Sequence, residues 1–307
     1  MRILIVGAGA VGGTFGAKLA GGGHAVGFVA RGENGRMIRE RGLLLRAPEG
    51  ERVARGPVFE SVEAARGFEA DVALLCVKWG SLSDVARATG ATLGDRGVAI
   101  PLLNGLEVEQ ELCRFLPSER VVGGVAQLAA AQIGPGEIEL RAGGMITVAP
   151  LSPEQAPLVE KLAAAFSECF PCHAESDIAR VRWQKLLWNA PFNAVCALTR
   201  RRAGEVLALP ELEALVKDVM REVIAVARAD GVELPDGSID AMIGVTLGTF
   251  ARTEPSMLQD VRAGRETETD ELQGAVVARG ERHGVPTPLL AALHVLLRGL
   301  GSEGRHA

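Results

Sequence analysis

In "KLLWNAPFNAV", residues 185–195, the polar side chains Lys185, Asn189 and Asn193 recur at i, i+4 and i+8 in an otherwise apolar segment. On a helix that spacing gathers them into one stripe. Reducing a ketone by hydride transfer puts negative charge on its oxygen, which a protonated donor must receive. A lysine on a partly buried face can be that donor if a nearby carboxylate keeps it charged, because desolvation alone lowers an ammonium's pKa. Amides one and two turns along could hold a substrate carboxylate or hydroxyl. A second reading stands beside this one: the lysine snorkels, and the amides satisfy backbone groups freed by Pro191, which removes a helical hydrogen bond. Pro191 is expected to bend or interrupt the helix and to pull the two amides off ideal spacing.

A second constellation lies at the start. Gly7-Ala8-Gly9-Ala10-Val11-Gly12 follows the strand-like "RILIV" (2–6) and opens a helical stretch. In such a loop the first glycine makes the tight turn, the second lets a pyrophosphate approach the backbone, and the third lets helix pack on strand. With "AVGFVA" (25–30) as a second strand, the context is that of a dinucleotide site. NAD sites usually place an acidic residue about 20 residues further on, to bind the ribose 2′-hydroxyl. Arg31 occupies that neighbourhood here, and Glu33 comes only two positions later. A guanidinium there would clamp a 2′-phosphate, which favours NADP(H); a solvated surface arginine is the alternative.

Other chemistries are excluded or weakened. The 307-residue chain has no tyrosine, which rules out a tyrosine and lysine proton relay. "CFPCH" (169–173) matches a haem-attachment string, but a lone pair without a partner pair or an export signal reads as a helix end running into a short strand. His24, His283, His294 and His306 are scattered, and no metal site is expected. Five cysteines are an odd count, and Cys76, Cys113 and Cys196 sit in apolar runs as reduced small hydrophobes would. A net charge of −5 argues against a nucleic-acid partner. No apolar run reaches the roughly 18 residues that span a bilayer, and the first residues read as a strand, so no membrane partner and a cytoplasmic location are expected.

These residues need a frame. "RILIV", a helix from Gly12 to about Ala20, "AVGFVA", "DVALLCV" (71–77), a helix opened by Ser81 with Asp84 as capping pair, and "GVAIPLL" (97–103) give a βαβ rhythm and a mostly parallel sheet. From Arg120 to Ala149 the β-rich pieces divided by "GPG" and "AGG" suggest antiparallel strands appended to that sheet's edge. After Asp177 only helical patterns remain. Leu212, Leu215, Val216, Val219, Val223 and Val226 keep one face apolar, with Gly231 as C-terminal cap, and Thr287-Pro288 opens a last helix. The boundary falls near 176, dividing an α/β domain (1–176) from an all-helical one (177–307), and "SEGRHA" is expected to fray.

Taken together, "GAGAVGG" with Arg31, "CVKWGS" around Lys78, "LLNGLE" around Asn104, "GPGEIE", "RWQKLLWNAPFNAVCAL" and "PSMLQDVRAGRETETDELQGAVV" resemble the 2-dehydropantoate 2-reductases, or ketopantoate reductases, over nearly the whole chain. The resemblance implies an N-terminal Rossmann-type domain and a helical domain like the C-terminal one of 6-phosphogluconate dehydrogenase, with substrate between them. It implies reduction of ketopantoate to (R)-pantoate by NADPH, toward pantothenate and coenzyme A. Matched motif by motif, Lys185 is the general acid, Asn189, Asn193 and Ser256 are substrate ligands, and Glu268 meets substrate and cofactor. Gly7 to Gly12 and Arg31 hold the cofactor, Lys78 and Asn104 line the nicotinamide side, and Ala130 makes a backbone contact. The chain departs from the family's pattern at Ala203 and Gln273, where asparagines are usual, near Leu140 and Arg141, and at Pro191 inside the amide pair. These departures bear on substrate identity. Another 2-keto or imino acid is the alternative within the class, and a non-catalytic NADP(H) sensor the alternative outside it. The partners expected are a small 2-keto acid and, as candidate assembly, a homodimer.

Overall fold

The computed structural model describes residues 1–302. The expected fraying of the tail, and His306, lie outside the described residues. Backbone proximity divides the chain into two units: Met1–Leu103 with Glu107–Ile178, and Asn104–Leu106 with the residues from Ala179 onward. The tripeptide Asn104–Leu106 therefore groups with the helices rather than with its sequence neighbours.

The first unit contains β1 (Arg2–Val6), α1 (Ala10–Gly21), β2 (Ala25–Val29), α2 (Gly32–Arg41), β3 (Leu43–Ala47), β4 (Gly50–Ala54), β5 (Val58–Phe59), β6 (Ala70–Leu75), α3 (Leu82–Thr89) and β7 (Leu93–Pro101). It continues with α4 (Val108–Cys113), β8 (Gly123–Gly134), β9 (Glu137–Ala149), α5 (Ala156–Ser167) and β10 (Cys172–Ala174). One sheet has the order β5-β2-β1-β6-β7 with parallel pairings throughout. Successive strand side chains face opposite ways. Accordingly Ile3 and Ile5 join one apolar cluster with Phe15, Phe28 and Leu74, while Leu4 and Val6 join another with Leu75, Leu82 and Val108.

The chain leading into the antiparallel pair β8 and β9 meets the edge of that sheet at a parallel bridge, Ala99 with Val121, but the pair itself is not part of it. It belongs to a second sheet, β10-β9-β3-β4 with β8 on the other side of β9. The cause is the β3–β4 hairpin, absent from the sequence reading, whose first strand gives β9 a parallel partner. α1 packs against both sheets through Phe15 and Leu19, and Gly13 and Gly16 let it approach Ile138 and Phe28 closely. The expected capping pair is also absent. A 3-10 turn over Trp79–Ser81 precedes α3, whose N-terminus has no side-chain cap. "CFPCH" is the turn after α5 running into β10, with both cysteines free.

The second unit is helical: α6 (Ile178–Thr199), α7 (Ala203–Leu207), α8 (Pro210–Ala229), α9 (Ser238–Val245), α10 (Ser256–Arg262), α11 (Ala275–His283) and α12 (Pro288–Ser302). Two π-helical turns, Thr246–Phe250 and Asp270–Gly274, interrupt the regular pattern. α6 is its core. Trp183, Leu187, Ala190, Phe192 and Val195 are all but fully buried around its circumference, as a helix apolar on every side must be. α8 buries Val216, Val219, Val223 and Val226 and closes with Gly231 at φ +85, while the Val232 N–H donates to Ala227 O at 2.8 Å. Among the described residues, no helix is long and apolar enough to cross a membrane.

Pro191 does not interrupt α6; the helix runs unbroken through it. An interior proline costs about 3 kcal/mol. Buried neighbours before and after it in one cluster hold the helix together across the missing bond. Gln273 Nε2 also donates to the Ala190 carbonyl at 2.7 Å, immediately beside the proline.

Candidate active site

The glycine-rich loop is tight on one side and open on the other. Gly7 adopts φ +97, and a Cβ there would sit 2.8 Å from Cys76 O. A Cβ on Gly12 would lie 2.1 Å from Gly7 O and 2.7 Å from Ile5 Cγ2. A Cβ on Gly9 would meet nothing within 4 Å. Ala10 and Val11 begin α1, whose first N–H groups lack intrahelical acceptors and whose N-cap, Gly9, supplies no side-chain cap. Amides without intrahelical acceptors at a helix start, with open space at the second glycine, fit the pyrophosphate of a dinucleotide.

Arg31 is the exposed N-cap of α2. It lines an open recess of about 1080 Å³ together with Gly7, Ala8, Ala30 and Asn34, and with the carboxylates Glu60, Glu63 and Asp84. Arg31 is thus the one cation among these lining residues, beside three acids. Lys78 is exposed just ahead of the Trp79–Ser81 turn, and Ala130 lies half-buried on β8; neither lines the recess.

In the helical unit, Asn104, Gly105, Arg182, Lys185, Leu186, Asn189 and Leu272 line a smaller opening of about 220 Å³. Asn104 Nδ2 donates to Glu268 Oε2 at 2.8 Å, and Asn189 Nδ2 donates to Asn104 Oδ1 at 3.4 Å. The result is a polar chain, Asn189 to Asn104 to Glu268, beside the Lys185 ammonium. Glu268 stands just before the π-helical turn Asp270–Gly274, a distortion that recurs at functional sites. The Leu272 N–H donates to its carbonyl at 3.1 Å.

Electrostatics sharpen the role of Lys185. Burial pushes its ammonium down to about 8, the Arg182 guanidinium adds to the shift, and the Glu268 carboxylate opposes it. At pH 7 the side chain is still charged in about nine molecules of ten. It can therefore give up a proton readily without having lost it beforehand.

The structure brings Lys185, Asn189, Asn104 and Glu268 together. Asn193 sits elsewhere: it is 1% exposed, does not line the opening, and its Oδ1 has no hydrogen-bond partner. Ser256 is exposed at the start of α10 and does not line the opening either. Arg182 is the residue the sequence reading left without a role. It is 4% exposed, and its Nη1 donates to Gly105 O at 3.0 Å, tying the Asn104 segment to α6. Its signal was present, because it stands three residues before Lys185 and so extends the same helical stripe.

Comparison with known proteins gives a consistent picture. The family profile for ketopantoate reductase PanE/ApbA matches residues 3–153, and that for the ketopantoate reductase PanE/ApbA C terminal matches residues 177–301. A 2-dehydropantoate 2-reductase of Halobacterium salinarum is 31% identical over 307 residues, covering 99% of this chain and 100% of that protein. A PanE/ApbA family ketopantoate reductase from Ralstonia eutropha JMP134 superposes with a TM-score of 0.89 at 32% identity, covering 100% of both chains. D-mandelate dehydrogenase in a ternary structure with NADH and anilino(oxo)acetate superposes with a TM-score of 0.93 at 26% identity, covering 99% of both. With both its Rossmann-like and its helical parts matched, the chain belongs to the ketopantoate reductase PanE/ApbA family.

Proposed function

We propose that the protein reduces 2-dehydropantoate (ketopantoate) to (R)-pantoate with NADPH, on the route to pantothenate and coenzyme A. The observation that carries this reading is the Asn189–Asn104–Glu268 hydrogen-bonded chain beside a lysine whose pKa is lowered to about 8. A reduced nicotinamide held by the glycine-rich loop would supply the hydride. Lys185 gives its proton to the keto oxygen as charge develops there. Asn189 orients the small acid, and Asn104, fixed by its bond to Glu268, presents a pre-aligned amide at no reorganisation cost. Asn193, Ser256, Lys78 and Ala130 complete the set of proposed substrate and cofactor contacts.

The experiment is a comparison of kcat/KM for NADPH oxidation across ketopantoate, other branched 2-keto acids and an aromatic 2-oxo acid. Ketopantoate is expected to be turned over best. The likeness to D-mandelate dehydrogenase favours a second reading, another 2-keto acid as the true substrate. An aromatic acid preferred by tenfold would select it, and no turnover of any keto acid would overturn both.

NADPH preference rests on Arg31 alone among the lining residues. A hydrogen bond to a charged group is worth about 1.5–3 kcal/mol. Arg31→Ala should therefore raise KM for NADPH by roughly 10- to 100-fold and leave KM for NADH unchanged. Equal changes for the two nucleotides would remove Arg31 from 2′-phosphate recognition.

A further inference from the structure

We propose that Asn34 is a positioning residue for the glycine-rich loop: it holds the Ala8 carbonyl and so aims the Gly9 N–H at the phosphates of a bound dinucleotide. This rests on the reading of that loop as a dinucleotide site. Asn34, in the first turn of α2, donates from Nδ2 to Ala8 O at 3.1 Å. Its Oδ1 accepts from the Gly136 N–H at 2.7 Å and from Gln132 Nε2 at 2.9 Å. The orientation of the amide is unambiguous, since a backbone N–H can only donate and the Ala8 carbonyl can only accept.

The consequence follows from peptide geometry. In a planar trans peptide the C=O and N–H point in opposite directions, so fixing Ala8 O also fixes the direction of the Gly9 N–H. Between Gly7 and Gly9 that plane would otherwise rotate cheaply, because glycine tolerates most backbone conformations. Gly9 leaves room for a ligand: a Cβ on it would meet no atom within 4 Å.

Asn34 is itself anchored. Gly136 is at φ +74 in the turn between β8 and β9, and a Cβ there would lie 3.3 Å from Met37 Cβ on α2. The "GPGEIE" turn, to which the chemistry assigned nothing, thus serves as a buttress: turn to Asn34, Asn34 to loop, all within the first unit.

The test is calorimetric titration of NADPH and of adenosine 2′-monophosphate into wild type and Asn34→Ala. The second ligand lacks a pyrophosphate and reports only the adenosine end. One lost hydrogen bond of this kind predicts a Kd for NADPH raised by about tenfold, with the Kd for adenosine 2′-monophosphate unchanged. Asn34→Leu, close in size and uncharged, loses the donor to Ala8 without placing a carboxylate in the recess that Arg31 lines, so it should show the same selective loss if the alanine variant fails to fold. Equal weakening of both ligands, or an unchanged Kd for NADPH, would overturn the role of Asn34 while leaving the cofactor reading intact. Wild type that binds no NADPH would overturn the cofactor reading and this inference with it.

Discussion

Lys185→Ala is expected to lower kcat for keto-acid reduction by about 10²- to 10⁴-fold, the usual worth of a positioned proton donor, with the Kd for NADPH unchanged. The ammonium lines an opening with Asn104, Arg182 and Asn189, and burial lowers its pKa to about 8, close to the working range in which a general acid is most effective. No other lysine lines that opening. Lys185→Arg should not rescue the rate, because a guanidinium stays protonated under all working conditions and cannot donate. Steady-state kinetics beside a fluorescence titration of NADPH separate the two effects. A variant with kcat within a factor of about two of wild type would remove Lys185 from the chemistry.

Gly12→Ala should cost both stability and cofactor binding. The new Cβ would lie 2.1 Å from Gly7 O, a backbone atom that cannot move unless the turn from β1 into α1 opens. Overpacking of this kind costs about 1–3 kcal/mol or more, against a total stability of about 5–15 kcal/mol. A melting temperature lowered by several degrees and a lost NADPH signal are the expected pair of results. Gly9→Ala is the informative partner, because its Cβ meets nothing within 4 Å in the protein. It should melt with wild type and yet bind NADPH poorly, since the methyl occupies the path of the pyrophosphate. Normal binding by Gly9→Ala would contradict the placement of the phosphates.

What the sequence made legible was local and periodic. "RILIV" is β1 to the residue, the glycine spacing marks the loop, and the i, i+4 rule places Lys185 and Asn189 on one side of α6. What it hid depends on partners distant in the chain. The second sheet could not be read because β9 takes β3 as a neighbour some ninety positions earlier in register, Leu45 against Ile138. Asn104 looked like part of the α/β domain and instead groups with the helices, where Glu268 accepts its hydrogen bond. Pro191 leaves α6 uninterrupted because propensity describes an isolated helix, while α6 is enclosed by a packed core. Asn34 carried no motif of its own, and both it and Arg182 hold a backbone carbonyl that the sequence does not place beside them.

The most direct test of the account is the pH dependence of kcat for ketopantoate reduction. The protonated lysine is the active form in this direction, so the rate should be level below about pH 7 and fall by about tenfold per pH unit above the lowered pKa of about 8. Oxidation of pantoate needs the neutral amine and should rise over the same interval. Lys185→Ala should lose the limb in both directions. A wild-type rate of reduction that stays level from pH 7 to 10, or a limb that survives in Lys185→Ala, would contradict the assignment of Lys185 as the proton donor.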